Sequence, residues 1–430
     1  MTPITTQQPI LILGAGISGL ALAQGLLKSN IPFRIYERDT HFNLRAQGYR
    51  VRIIGPGIEA LQSVLSSKLY QRLEASCATN ALGGSGPSAR LNALSAEELE
   101  SFFGKAGPPG MGGQPGPGGP GKSGPGMSMG QKPEGSPEPL NADRMVLRSV
   151  LMRGLEEHVE FGKEFSAYEI TPSGVVLHFS DASEAQGSLL VGADGASSRV
   201  RKQFVPQLSL MDTEGRFFYG KSTLTPELEE KFNERCLKGM AVIQDRTGDV
   251  PVTLLLEPVR FKDNEFRKEL PKDYVYWVLL ARKGVHGMTD AELLGLTNNE
   301  SAELAKKLTS HWHPSFHALL DQQDSAQTSL LRIISASPNI PIWEPSSRIT
   351  LIGDAAHVMS PTAGIGATCA LRDAAMLAEV LRDEGITKEA VGRYEEFMRQ
   401  NAQEGISRSA MGGKHMFGMR PFEELAKVTV

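Results

Sequence analysis

A chain of 430 residues, 40% hydrophobic and 22% charged, has the balance of a folded protein large enough for two domains. Its formal net charge of -4 offers no basic field to hold nucleic acid or an anionic membrane, so nucleic acid is not an expected partner. Cys77, Cys236 and Cys369 lie too far apart for a disulfide framework or a metal-ligand spacing, so no metal is expected, and the thiols read as reduced groups of a cytoplasmic protein.

The first element is an apolar strand, Ile10 to Leu13, followed at once by Gly14-Ala15-Gly16-Ile17-Ser18-Gly19. The apolar run around it is no membrane span: four glycines, Ser18 and Gln24 interrupt it, and no basic segment precedes it. A helix from about Leu20 to Lys28, a turn at Asn30-Ile31-Pro32 and a second strand, Phe33 to Tyr36, lead to Glu37 and Arg38. Strand, glycine turn, helix, strand and acid in that order form the dinucleotide-binding fingerprint. Gly14 allows the tight turn, Gly16 lets a pyrophosphate approach the backbone, and Gly19 lets the helix pack on the strand. The helix start presents free N–H groups to phosphate. Glu37 would accept from both ribose hydroxyls, which disfavours a 2′-phosphate at this site.

Further on, Ser95 and Glu98 have the spacing of a capping box and predict a helix from Ser95 to Phe103. From Gly104 to Gly130, 18 of 27 residues are Gly or Pro. Five Gly-x-x triplets ending at Lys122 are too few for a collagen helix, so this stretch reads as a disordered surface insertion.

Leu189 to Gly192 is a second apolar strand, ending in Ala193-Asp194-Gly195 with Arg199 and Arg201 after it. Between about Ser209 and Ser337 the pattern turns strand-like: "VTLLLEPV", "DYVYWVLLAR" and "TSLLRIIS". Arg216, Tyr219, Gln244 and Trp277 sit on such strands and either face a substrate or serve ordinary sheet packing. A helix from Asn298 to Leu308, with Glu303 and Lys307 one turn apart, reads as a solvated face. His311, His313 and His317 lack the carboxylate or cysteine company of a metal site.

A third apolar strand, Ile349 to Ile352, ends at Gly353-Asp354, followed by a glycine-containing loop and an alanine-rich helix. Two acid-ended strands beyond the fingerprint suggest a ligand with more hydroxyls than NAD, and FAD is one. Gly364 and Gly366 at the last helix start would offer N–H groups and the helix dipole to a flavin ring. His357 reads as a structural hydrogen-bonding group rather than a base.

Together, GAGISG with Glu37, GADG with Arg199, and GDAAHVMSPTAGIGA resemble the FAD-dependent aromatic hydroxylase family over nearly the whole chain outside the insertion. The resemblance implies an α/β fold: a Rossmann-type FAD-binding domain with an interleaved mixed β-sheet substrate domain and C-terminal helices. It divides the chain into an FAD-binding segment at 9–82, a flexible Gly/Pro-rich insertion at 83–140, and a second FAD-binding segment at 141–205. A mainly β-sheet substrate domain at 206–340 and a third FAD-binding segment with the C-terminal helices at 341–430 complete it.

By the same resemblance Asp354 holds the ribityl chain and Pro361 borders the flavin. Asp194 and Gly195 serve FAD and NAD(P)H, Arg148 meets the FAD phosphates, and Arg50 and Arg52 lie on a strand beside the ring. Gly14, Gly16, Ser18, Gly19, Glu37, Arg38, Gly364, Gly366 and Thr368 complete the expected FAD site. The family's usual PTGGQGAN reads PTAGIGAT here, so Ala363, Ile365 and Thr368 replace glycine, glutamine and asparagine.

The implied activity is NADPH- or NADH-driven insertion of one oxygen atom, through a flavin hydroperoxide, into an aromatic or polyketide-like molecule of secondary metabolism. Molecular oxygen and the small molecule are the partners, and the protein is a monomer or homodimer. A flavin oxidase, dehydrogenase or epoxidase on the same fold, or a non-catalytic flavin-binding protein, are the alternatives.

Overall fold

A computed structural model describes residues 8–42, 49–79, 89–99 and 137–428. The Gly/Pro stretch from 104 to 130 lies outside the described residues. A five-stranded sheet takes its strands in the order Ile349–Leu351, Leu189–Gly192, Ile10–Leu13, Phe33–Glu37 and Val159–Phe161, all parallel. Ile10, Leu11 and Ile12 are fully buried, between helix Ile17–Lys28 and a three-stranded antiparallel sheet (Phe165–Thr171, Gly174–Phe179 and Glu184–Gly187), and this is why the strand reads as an unbroken apolar run. The three motif strands are neighbours, so the glycine turn and the two Asp loops leave the same edge of the sheet.

The helix after the glycine turn spans Ile17–Lys28 and starts earlier than the sequence pattern suggested, because Ile17, Ser18 and Gly19 already form its first turn. It packs on helix Gly366–Glu384 so closely that a Cβ at Gly25 would meet Ala378 Cβ at 2.7 Å. The C-terminal helix Lys388–Phe417 buries Tyr394, Met398, Ala402 and Ile406 in the same core and then runs on to the second sheet. No helix of the described residues is long and apolar enough to cross a membrane.

The second sheet has seven strands. Its main path is Ser329–Ala336, Leu210–Thr223, Tyr274–Arg282, Val252–Val259, Ala241–Asp245 and Ala89–Asn92, with Lys427–Val428 pairing on Leu210–Met211. Its neighbours are antiparallel except for Ala89–Asn92, which runs parallel to Ala241–Gln244. Alternation along each strand divides it into two buried faces. Phe218, Trp277, Leu254, Leu256 and Ile243 pack with Ala305, Trp312, Phe316 and Leu319 from the outer helices and loops. Phe217, Tyr219, Tyr274, Tyr276 and Val278 lie on the other face with Phe417. Between that inner face and the parallel-sheet core runs a two-stranded ribbon, Arg50–Ile53 against Leu140–Asp143.

Two expectations for the region before residue 140 need correction. Ser95 caps no helix: its Oγ bonds to Glu97 and Glu98 forms a β-bridge with Leu91. Ala96 has φ 56°, which turns the chain back instead of letting it coil on. Residues 89–92, read as part of a flexible insertion, form a strand of the large sheet.

Candidate functional site

Each motif glycine answers to a different constraint. Gly14 has φ +110°, and a Cβ there would lie 2.3 Å from the Ala193 carbonyl oxygen, so it lets the first and second motifs touch. A Cβ at Gly19 would lie 2.1 Å from the Gly14 oxygen, whereas one at Gly16 would meet nothing within 4 Å. The space beside Gly16 is what a pyrophosphate needs. The helix that follows has no side-chain cap and no acid in its first turn, so its N–H groups are not claimed by a carboxylate. Ser18 is buried beside Gly353, whose φ of +60° brings the third motif against the first.

Glu37 holds the turn itself. Its Oε2 accepts from Ala15 N at 2.8 Å and its Oε1 from Asp39 N at 3.0 Å, which leaves further lone pairs for ribose hydroxyls. Arg38, next along the chain, is exposed. Arg148 is buried, donates to the Ala15 carbonyl from Nε and Nη2, and lies over the Phe42 ring. It braces the phosphate turn from behind.

In the second motif, Asp194 Oδ2 accepts from the backbone N–H groups of Arg199 and Val200 at 2.9 and 3.3 Å. Its other oxygen is buried with no partner, and burial pushes the carboxyl pKa up. Gly195 follows with φ +77° and open space around it. Arg201 ties this motif to the third by donating to Ala196 O and Ala355 O.

Asp354 is open to solvent on one side and otherwise deeply enclosed. Burial raises its pKa, while His357 and then Arg144 pull it down. No described group donates a hydrogen bond to its carboxylate. Behind it stands a residue that the sequence reading missed: Asp373 accepts from Gly353 N at 3.0 Å, from His357 Nε2 and, through its other oxygen, from Asn401 Nδ2 at 3.2 Å. One fully buried carboxylate thus sets the backbone that aims Asp354. The available signal was Asp373 on the buried stripe Cys369, Ala370, Ala374 and Leu377, where an unpaired acid would be costly.

Pro361–Ala363 forms a single 3₁₀ turn, Gly364 has φ +65°, and helix Gly366–Glu384 begins with no side-chain cap and no acid in its first turn. Thr368 is turned toward the neighbouring helix Gly55–Val64: its Oγ1 accepts from Ile54 N at 3.5 Å and crowds Gly57.

The expected pocket residues divide sharply. Tyr219 lies on the inner face, its ring 4.8 Å from that of Tyr49. Arg216 does not reach a pocket. It is fully buried, pairs with Asp212 at 2.8 Å and Asp290 at 2.6 Å, and shares the alternate face with Phe218. Trp277 lies on that outer face too, donating to Ser222 Oγ at 3.2 Å, and a Cβ at its pairing partner Gly220 would strike the indole at 2.1 Å. Gln244 is occupied by Thr253, Arg246 and the carbonyl of His415, so it anchors the end of the C-terminal helix. Arg50 pairs with Glu257 at 2.5 Å and Asn141 at 2.9 Å, tying the ribbon to the large sheet, while its Nε is buried without a partner.

His311 has a carboxylate partner after all, Asp245 at 2.8 Å, while His313 bonds to Ser315. Among the described residues no group of three or more His, Cys, Asp or Glu side chains is placed to hold a metal.

The His357–Asp373 pair has a pH signature. Burial works against the imidazolium, but the Asp373 carboxylate more than offsets it, so the His357 pKa is raised. A proton held more tightly by the folded than by the unfolded chain stabilises fully below the unfolded value of about 6.5 and is lost as pH rises through the folded value. Urea unfolding midpoints should therefore fall as pH rises above that point, and His357→Asn should flatten this limb. A variant curve parallel to wild type would remove His357 from the account.

An unpartnered Asp194 oxygen, an Asp354 carboxylate facing the cleft, open space at Gly16 and two uncapped helix starts suit a ligand with a pyrophosphate and several hydroxyls. Residues 343–406 match the FAD binding domain family model. A dual O-methyltransferase/FAD-dependent monooxygenase of Phaeosphaeria nodorum is 37% identical over 465 residues, 97% of this chain and 47% of the relative. The chain therefore spans about half the length of that relative. An FAD-dependent monooxygenase of Emericella nidulans is 25% identical over 391 residues, 88% of each chain. A solved Photorhabdus luminescens protein, assigned to the FAD-containing monooxygenases, superposes with a TM-score of 0.74 at 27% identity, covering 95% of this chain and 99% of its own. The chain is thus similar over nearly its whole length to FAD-dependent monooxygenases and carries a match to the FAD binding domain family, which makes FAD its cofactor.

Proposed function

We propose that this protein is a cytoplasmic, FAD-dependent and NAD(P)H-using monooxygenase that inserts one oxygen atom into an aromatic or polyketide-like small molecule of secondary metabolism, acting as a monomer or homodimer. The observation that carries this reading is that one ribbon strand joins two surfaces: Ile54 bonds to Thr368 at the helix start of the third motif, and Tyr49 stacks on Tyr219 of the large sheet's inner face. In this reading segments 9–82, 141–205 and 341–430 carry the cofactor, and 206–340 supplies most of the substrate wall.

Bound FAD, once reduced by NADPH or NADH, supplies the activation of molecular oxygen. The chain's own residues position and enclose. The turn at Gly14, Gly16 and Gly19 with Ser18 receives the pyrophosphate, with Arg148 behind it. Glu37 takes ribose hydroxyls with Arg38 outside them. Asp354 takes the sugar-alcohol chain, with Asp194 and Gly195 beside it. Pro361, Gly364 and Gly366 edge the ring, with free N–H groups at the helix start. Tyr49, Tyr219 and Tyr276 form an aromatic wall that orients a flat substrate and keeps water out.

The test is anaerobic: FAD-loaded protein is mixed with single phenolic compounds, then with NADPH or NADH, and flavin bleaching is followed. Bleaching that requires both the nicotinamide and one compound supports the proposal. Bleaching by a compound alone makes the protein an oxidase or dehydrogenase, and none under any combination leaves a flavin-binding protein without this activity.

A further inference from the structure

One buried carboxylate is shared between a helix of the parallel-sheet core and the large sheet. Asp143 ends the ribbon strand Leu140–Asp143, where it pairs with Arg50. Its Oδ1 accepts from Met145 N at 2.8 Å and Val146 N at 3.3 Å, which caps helix Arg144–Met152. Its Oδ2 belongs to the large sheet, accepting from the Tyr274 hydroxyl at 2.8 Å and from Lys221 Nζ at 3.0 Å. The Lys221 ammonium also lies 4.0 Å from the centroid of the Tyr274 ring. Burial, and then the Asp143 charge, push the Tyr274 pKa up, so the phenol remains a donor.

These two donors border the aromatic wall. Lys221 lies two residues beyond Tyr219 on one strand, and Tyr274 two residues before Tyr276 on the next, so alternation keeps each pair on one face. Lys221 is also the ladder partner of Tyr276. At its other contacts the capped helix reaches the cofactor motifs. Arg144 N donates to the Tyr49 carbonyl at 2.8 Å. Burial raises the Asp354 pKa and His357 opposes it, and Arg144 is near enough to pull it down as well. Arg148, one turn on, donates to the Ala15 carbonyl inside the glycine turn, at 3.3 Å from Nε and 3.0 Å from Nη2. A helix of nine residues is marginal alone, so its position depends on the groups that fix it.

We infer that Asp143 is a positioning residue for the cofactor: it ties the helix carrying Arg148 to the substrate sheet, so that Lys221 and Tyr274 strengthen FAD binding through Arg148. This rests on the reading above only for the pyrophosphate lying at the Gly14–Gly19 turn. The connection also runs in reverse, because coupling between sites is reciprocal. Lys221 and Tyr274 are held more firmly beside the wall when FAD is bound.

The experiment is an equilibrium titration of FAD-free protein with FAD, followed by flavin fluorescence, with urea unfolding of the same preparations. Tyr274→Phe and Lys221→Met should each weaken FAD binding about threefold to tenfold. Asp143→Asn should weaken it as much, because the amide oxygen still caps the helix but provides no charge for Lys221. A cycle with Arg148→Lys separates positioning from a merely structural role, since lysine keeps the cation and loses the two-point contact with Ala15. In that background Tyr274→Phe should change FAD affinity by less than about twofold. Ser222→Ala is the control. Ser222 is next to Lys221 but on the outer face, bonded to the Leu319 carbonyl at 2.6 Å and to Trp277 Nε1 at 3.2 Å. Its loss should lower the urea midpoint and leave FAD affinity at the wild-type value.

Three results would overturn the proposal. The first is wild-type FAD affinity in Tyr274→Phe and Lys221→Met, whatever their urea midpoints. The second is an equal effect of Tyr274→Phe with arginine or lysine at position 148, which would put the sheet residues in direct contact with the cofactor. The third is a loss of FAD affinity in Ser222→Ala matching that in Tyr274→Phe, which would reduce the effect to general destabilisation of the sheet. A misplaced pyrophosphate would show separately, as wild-type FAD affinity in Gly16→Ala. Neither substrate nor nicotinamide takes part, so failure of the monooxygenase reading would appear only in the bleaching experiment.

Discussion

Replacing Asp373 by alanine is expected to cost about 3–5 kcal/mol of stability, the range for removing one partner of a buried ion pair. His357 and Asp373 are both fully buried, and His357 Nδ1 has no partner either, so the imidazole depends on this one carboxylate. The substitution also leaves Gly353 N–H without its acceptor and removes one bond from Asn401. Asp373→Asn should lose less, because an amide oxygen can still accept from Gly353, although it provides no charge for His357. Urea unfolding of the FAD-free protein measures the stability. Retained flavin, measured separately at low temperature, should fall as well, because Gly353 sets the direction of Asp354. A loss below about 1 kcal/mol would mean that the surrounding helices position the loop without this carboxylate.

Gly14→Ala should abolish flavin retention and also destabilise the protein, whereas Gly16→Ala should reduce retention alone. At position 14 the added methyl must coexist with φ +110° and with an oxygen at 2.3 Å, which forces the first and second motif strands apart. The unusual backbone alone costs about 1–3 kcal/mol, and the contact adds to it. At position 16 nothing lies within 4 Å, so the protein without cofactor should tolerate the methyl and unfold at the wild-type urea concentration. Its effect should appear as flavin affinity weakened by about tenfold or more, because the group occupies room reserved for phosphate. Equal loss of stability in the two variants would refute this division of labour.

The parallel-sheet strands were legible because burial on both faces writes them as continuous apolar runs, and the glycine turn because only one residue type permits it. "VTLLLEPV" is strand Val252–Val259, residue for residue. The faces of the large sheet were not legible. Strand Leu210–Thr223 is buried on both sides, so Arg216, Phe217, Phe218 and Tyr219 show no alternation that separates the pocket from the packing. What decides is register: Gly220 opposite Trp277 leaves room for the indole on the outer face, and no single strand contains that pairing. Ser95 failed for another reason. A capping box specifies how a helix would begin, and the bridge between Leu91 and Glu98 provides a competing use for the same residues. Asp373 and Asn401 were silent because a helix partner 28 residues away leaves no local mark.

The strand order of the parallel sheet also governs the sequence of events at birth. Strand Leu189–Gly192 lies between Ile10–Leu13 and Ile349–Leu351, and the last of these is made more than 300 residues after the first. The intervening chain contains most of the antiparallel sheet, whose long neighbouring strands can pair as they emerge. The glycine-turn strand gains both neighbours once Leu189–Gly192 emerges, but Leu189–Gly192 itself lacks one until the third motif has left the ribosome. Flavin cannot assist the early steps, because Asp354 and the Gly366 helix arrive after the other two motifs. Any delay in translation between these strands prolongs the interval in which the nascent chain depends on chaperones.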